Sequence, residues 1–163
     1  MLKVEFYDKT EDDLLEFAVI VSRYEGKWVY CKHKERSTYE VPGGHREKGE
    51  DINHTAEREL HEETGAVTFD LHKICAYSVE TADSPADNQG IKQEAAADNA
   101  RVSNKKTSYG MLYYADIKEF GRLPDMEMEK TVLFDAIPDN LTYPLIQPEL
   151  IRKVKEFLEQ NPV

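Results

Sequence analysis

Apolar and polar positions change period along this chain, and the changes mark its elements. Phe17–Tyr24 and Lys27–His33 are apolar-rich runs of strand length joined at Glu25-Gly26, which reads as a hairpin. Tyr39-Glu40-Val41 is a short extended segment ending at Pro42, since a proline disfavours helix in the residue before it. Beyond Gly43-Gly44 the period lengthens. Ile52, Ala56 and Leu60 recur every four residues, an apolar stripe suited to packing on a sheet. Asp51 stands as N-cap and Gly65 as a left-handed stop, which bounds a helix over Ile52–Thr64. Leu71–Val79 and Tyr109–Ile117 read as strands and Thr131–Phe134 as a shorter one. Pro148–Gln160 reads as an amphipathic helix turning Leu150, Ile151, Val154, Phe157 and Leu158 inward. These elements predict an α/β fold, a mixed β-sheet flanked by helices.

Between Glu80 and Ser108 the pattern gives way to Ser, Asp, Asn, Gln and Lys, so a polar insertion or long loop is expected over about 80–108. Ile91, Ala95 and Val102 share one helical face, which Asp98 interrupts. Loops of this length are usually functional or disordered. A substrate lid, a contact in a homodimer and plain disorder all stand as readings.

Composition narrows the function. A chain of 163 residues, 40% hydrophobic, has the size and apolar content for one domain with a real core, so residues 1–163 are expected to form a single domain. A formal charge of −11 argues against non-specific nucleic-acid binding and requires a metal to bring positive charge to any phosphate. Cys31 and Cys75 fall within apolar runs, where a buried thiol is the default. The start of the chain lacks a long apolar segment and no run approaches the roughly 18 apolar residues of a membrane span, so a cytoplasmic enzyme is expected.

Candidate chemistry centres on the glycine pair and the helix after it. Glycines let the backbone approach a ligand closely and present its carbonyls. Glu59, Glu62 and Glu63 stand at i, i+3 and i+4, on a face other than the apolar stripe. Such like charges cost about 0.2 to 0.5 kcal/mol per pair when exposed, so something cationic should offset them. Mg²⁺ or Mn²⁺ suits an oxygen donor set, and magnesium is typically shared between carboxylates and substrate phosphates. Arg58 lies eight residues after Glu50 and four before Glu62, within reach of either as an orienting residue. A lone E-x-x-E-E would read as a solvated acidic face, but the whole pattern of fixed identities arises by chance about once in 10⁶ chains of this size.

Gly44, Glu50 and Arg58-Glu59-Leu60-x-Glu62-Glu63-x-Gly65-Ala66, at their spacing, resemble a complete Nudix box, with Ala66 where a larger aliphatic residue is commoner. The resemblance implies a Nudix hydrolase, an α/β/α sandwich that uses divalent metals to cleave nucleoside diphosphates linked to another moiety. By position it implies the Gly43 carbonyl, Glu59, Glu62 and Glu63 as metal ligands and Glu50 with Arg58 as a structural ion pair. It further suggests a metal ligand or general base from the acidic stretch Asp125-Met126-Glu127-Met128-Glu129, where strict alternation would put Glu127 and Glu129 on one side.

Gly26-Lys27-Trp28-Val29-Tyr30 and Tyr39 to Gly44 look like the MutT and YtkD branch, which hydrolyses canonical or oxidised nucleoside triphosphates, such as 8-oxo-dGTP, to monophosphate and pyrophosphate. That branch reads the base with an Asn just before the last helix. Gln147 stands there, with both a donor and an acceptor to offer, or simply precedes Pro148. Lys32, Lys34 and Arg36 lie in a charged loop from which a substrate phosphate is within reach. The residues about sixteen after Ala66, Thr81 to Ser84, lack the proline of ADP-ribose enzymes and the tyrosine of diadenosine enzymes. The expected reaction is attack by metal-activated water, with Glu59, Glu127 or Glu129 as base. The alternatives are an RNA 5′-end or dinucleotide polyphosphate pyrophosphohydrolase, and a non-catalytic Nudix-fold nucleotide-binding module.

Overall fold

The computed structural model describes residues 2–82 and 105–162. Seven strands form one sheet: β1 (Leu2–Tyr7), β2 (Leu15–Tyr24), β3 (Lys27–His33), β4 (Gly43–His45), β5 (Ala66–Ala82), β6 (Lys105–Phe120) and β7 (Met128–Phe134). Their order is β1-β5-β6-β2-β3-β7, with β4 paired to β2 beside β3. The β2–β6 pair is parallel and the others are antiparallel, which makes the sheet mixed.

Helices α1 (Ile52–Thr64) and α2 (Gln147–Gln160) cover opposite faces. Side chains alternate across the sheet, so Ala18, Ile20 and Val29 pack with Ile52, Ala56 and Leu60 of α1. Val21, Trp28 and Tyr30 pack with Leu150, Ile151 and Val154 of α2. Burial on both faces is why the central strands read as nearly continuous apolar runs. The expected α/β/α sandwich is the fold observed. Asp51 accepts from the Asn53 N–H, and Gly65 closes α1 at φ 78° with its N–H on the His61 carbonyl, so both expected helix signals act as read. Phe157 and Leu158 are half-buried, whereas Leu150, Ile151 and Val154 are buried.

The boundaries of the polar insertion need correction. β5 and β6 stay in register out to Ala82↔Lys105, and Glu80 pairs with Thr107. Residues 80–82 and 105–108 are therefore strand: their backbone groups are met across the ladder while polar side chains such as Lys105 and Glu80 form an ion pair at 2.9 Å. The suggested helix over Ile91–Val102, and the lid or homodimer contact with it, lies outside the described residues. Among the described residues, no helix is long and apolar enough to cross a membrane.

Candidate active site

Short strand β4 brings the glycine pair against α1. A Cβ on Gly43 would stand 2.7 Å from the Ala18 carbonyl oxygen, and one on Gly44 would stand 2.3 Å from Oε1 of Glu59. Glycine at 44 thus lets the Glu59 carboxylate press against the backbone. The Gly43 N–H donates to Oε2 of Glu63 at 3.0 Å. In an extended strand a residue's N–H and C=O point to the same edge, so the Gly43 carbonyl faces that side too.

Arg58 ties the loop to the helix. Its Nε and Nη2 donate to the two oxygens of Glu50 at 2.8 and 3.0 Å, a bidentate fork, and Nη2 also reaches the His45 carbonyl at 3.0 Å. Nη1 donates to Glu59 at 2.8 Å and to Glu62 at 3.2 Å. Thr55 adds a 2.6 Å bond to Glu50. The hydrogen bonds from Arg58 are the main reason the Glu50 carboxyl is held down at about 2. The same contacts raise Arg58, which stays a cation.

Glu59, Glu63, Glu40 and Glu127 line a cavity of about 790 Å³. Burial pushes the Glu63 carboxyl up to about 8, against the pull of the Gly43 N–H, and the charges of Glu59, Glu40 and Glu127 add to the rise. Burial also raises Glu59 in opposition to Arg58, and Glu40 in opposition to Arg36. A divalent cation would offset this crowding of desolvated carboxylates, and the donors, carboxylate and carbonyl oxygens, are of the type that Mg²⁺ and Mn²⁺ prefer. Glu59, Glu63 and the Gly43 carbonyl fit in kind and share one side of the cavity, but the cage is open. Among the described residues, no three acidic, His or Cys side chains already close on one point. Glu62 is turned toward Arg58 and stands outside the cavity wall. A second depression of about 800 Å³ includes Glu50 and Arg46 but none of Glu59, Glu62 and Glu63, so the first cavity is the one that matches the chemistry.

The remaining expected residues divide. Gln147 is buried in the cavity wall, where its Oε1 accepts from the Val41 N–H at 3.2 Å. Arg36 also lines the cavity, but its Nη1 is bound to Glu40 at 3.0 Å and its guanidinium lies 6.0 Å from the Tyr143 ring centroid. Lys34 is outside the cavity, paired with Asp125 at 2.6 Å. Glu129 is likewise outside, paired with Lys32. The alternation expected for Glu127 and Glu129 fails because the β3–β7 register shifts between Lys32 and His33. Glu127, in the bend before β7, lines the cavity, whereas Glu129, at the irregularity, pairs with Lys32.

Glu40 and Tyr143 are two residues of this cavity to which sequence patterning gave no role. Glu40 carried a usable signal, a charged residue in an extended segment directly before the glycines. Tyr143 sits four residues before Gln147, whose N–H bonds its carbonyl at 3.0 Å, and only the chain's path toward α2 brings it to the cavity. Cys31 is buried as expected, with burial and the charges of Glu63 and Glu40 raising its thiol, and Cys75 is half-buried. His45, His54 and His61 are exposed; only His45 lines the cavity.

A sequence-family model described as NUDIX domain matches residues 14–119. YtkD of Bacillus subtilis (strain 168), provisionally named an 8-oxo-dGTP diphosphatase, is 28% identical over 142 residues, covering 86% of this chain and 75% of that one. An ADP-ribose pyrophosphatase of the same organism is 44% identical over 64 residues, 37% of this chain and 35% of that one. Among solved structures, a point mutant of the Bacillus subtilis pyrophosphohydrolase BsRppH superimposes with a TM-score of 0.69 at 25% identity, over 96% of this chain and 90% of that one. With the matched model spanning the box, both flanking strands and the sheet centre, the chain belongs to the Nudix family and is a Nudix pyrophosphohydrolase.

Proposed function

We propose that this enzyme hydrolyses a nucleoside triphosphate, canonical or oxidised as in 8-oxo-dGTP, to the monophosphate and pyrophosphate, with Mg²⁺ or Mn²⁺ in the carboxylate site. The observation that carries the reading is one cavity in which Glu59, Glu63 and Glu127 stand together with the Gln147 amide. It offers a place for a metal-bridged phosphate chain and a polar group for the base. The Val41 N–H requires an acceptor, which fixes Gln147 with its oxygen inward and leaves the amide nitrogen as the group it can give a ligand. A donor in that place favours a base carrying a carbonyl, such as guanine or 8-oxoguanine. The similarity to YtkD supports the same substrate class.

Nudix hydrolases generally use divalent metal ions, and here Glu59, Glu63 and the Gly43 carbonyl would hold them from the cavity wall, joined by Glu62 on turning from Arg58. When bound, such ions neutralise diphosphate oxygens and make water a stronger nucleophile at neutral pH. Arg58, fixed by Glu50, orients Glu59 and Glu62. Glu127 accepts the proton of the attacking water at a carboxylate oxygen. We assign it this role over Glu59, which already shares an oxygen with Arg58, and over Glu129, which lies outside the cavity. Neither Lys34 nor Glu129 is retained as a direct contact. Water adds to phosphorus as the anhydride oxygen leaves with its electron pair, so no covalent enzyme intermediate forms.

A panel of dGTP, 8-oxo-dGTP, dATP, 5′-triphosphorylated RNA, diadenosine tetraphosphate and ADP-ribose with Mg²⁺, with products identified, tests the reading. We expect pyrophosphate and monophosphate, fastest from the two guanine nucleotides. Turnover confined to RNA ends, dinucleotides or ADP-ribose would move the enzyme to another substrate class. A lack of turnover on every member would overturn the proposal.

A further inference from the structure

We propose that Lys32 and Lys34 are positioning residues that hold Glu127 at the cavity by tacking down its two flanks, an inference that rests on the catalytic role proposed for Glu127. Glu127 lies between β6 and β7 in a segment without regular structure. Its carbonyl accepts the Lys34 N–H at 3.0 Å, which sets it directly opposite that residue. Lys34 Nζ then bonds Asp125, two residues before Glu127, at 2.6 Å. Lys32 Nζ bonds Glu129, two residues after it, and also donates to the His33 carbonyl at 3.3 Å. The two lysines thus bracket one glutamate from the facing strand.

Two further features point the same way. The register shift between Lys32 and His33 leaves Glu129 out of the ladder, since His33 pairs with Met128 and Lys32 with Lys130. Irregularities of this kind re-aim a side chain. Buried Met128 pins the segment between the two acids from inside, while Met126, on the near side of Glu127, is half exposed and supplies no such anchor. An exposed ion pair adds under about 1 kcal/mol to stability, so these pairs are poorly explained as stabilisers of the fold. Position is another matter. A displacement of about 1 Å at a reacting group can cost on the order of a hundredfold in rate.

The test is a set of charge reversals in the full chain. Lys34→Asp and Asp125→Lys should each lower kcat roughly tenfold with KM little changed, and the double reversal should restore most of the loss. In a Glu127→Gln background Lys34→Asp should have no further effect, because its route to the reaction has been removed. Amide hydrogen exchange of residue 34 in metal-free protein gives a readout independent of turnover. It should speed up in each single reversal and slow again in the double, with the melting temperature unchanged throughout. Losses that add to that of Glu127→Gln, or single reversals without effect on kcat, would overturn the clamp while leaving Glu127 as the base. Full turnover by Glu127→Gln itself would overturn the catalytic assignment, and the clamp with it.

Discussion

Glu63 is the residue at which burial, charge and function meet most directly. Its carboxyl is raised from 4.5 to about 8 because it is taken out of water among other acids, against the pull of the Gly43 N–H. The folded protein therefore holds a proton there that the unfolded chain gives up. Between about 4.5 and 8 the native state binds more protons, so this group makes the metal-free protein less stable as pH rises through that window. Melting curves in chelator at pH 5.5 and pH 8 should show that loss, and Glu63→Gln should reduce it. A divalent cation must displace the same proton, so Mg²⁺ affinity should increase over the window, with proton release visible by calorimetry in two buffers. Glu62→Gln and Glu63→Gln should both weaken Mg²⁺ binding and lower turnover by about two orders of magnitude or more while the fold remains. Metal dependence like that of the wild type in both variants would remove them from the site.

At the scale of elements, the loop and α1 act as one unit because Arg58 spans them. Arg58→Lys keeps the charge and loses the fork that grips both oxygens of Glu50. Catalysis should fall with KM largely kept, as Glu59 and Glu62 lose their common anchor. The depressed Glu50 carboxyl contributes stability that is present above about 4.5 and lost as pH falls toward about 2. In Arg58→Lys the acid unfolding midpoint should accordingly move to higher pH, which circular dichroism during acid titration would detect. This helix was legible in the sequence because its cap, stop and apolar stripe are local signals. β1 was passed over although Leu2, Val4 and Phe6 alternate with polar residues, since a short edge strand is defined by the partner it finds in β5. The ends of β5 and β6 misled for the opposite reason: their polar residues look like loop but are fixed by cross-strand pairing. The irregularity at Lys32 leaves no trace in either strand alone; the sequence favours Glu127 over Glu129 only because Glu129 abuts Lys130 and the following strand, and the structure places Glu129 in a pair with Lys32.

Across the whole molecule, a chain with a formal charge of −11 lines its cavity with five glutamates, Glu40, Glu47, Glu59, Glu63 and Glu127, against three arginines, so a polyanion there meets mostly carboxylates. That arrangement works if a cation mediates between the carboxylates and the phosphates. The box was readable from spacing, because each residue's place follows from one helix and one glycine turn, and its ion pair and the sandwich that carries it followed from the resemblance the box bears to the family. The opposite wall of the cavity was less so, because Glu40 and the turn carrying Tyr143 and Gln147 arrive from separate segments, and of the three only Gln147 stood out in the sequence. Water attack in this cavity is most directly tested by a single turnover of 8-oxo-dGTP with Mg²⁺ in H₂¹⁸O. The account predicts equal amounts of monophosphate and pyrophosphate, one ¹⁸O atom entering one of the two products directly, and no phosphorylated protein at any time. Release of inorganic phosphate as the first product, or a phosphoryl-enzyme that forms and decays during the turnover, would contradict it.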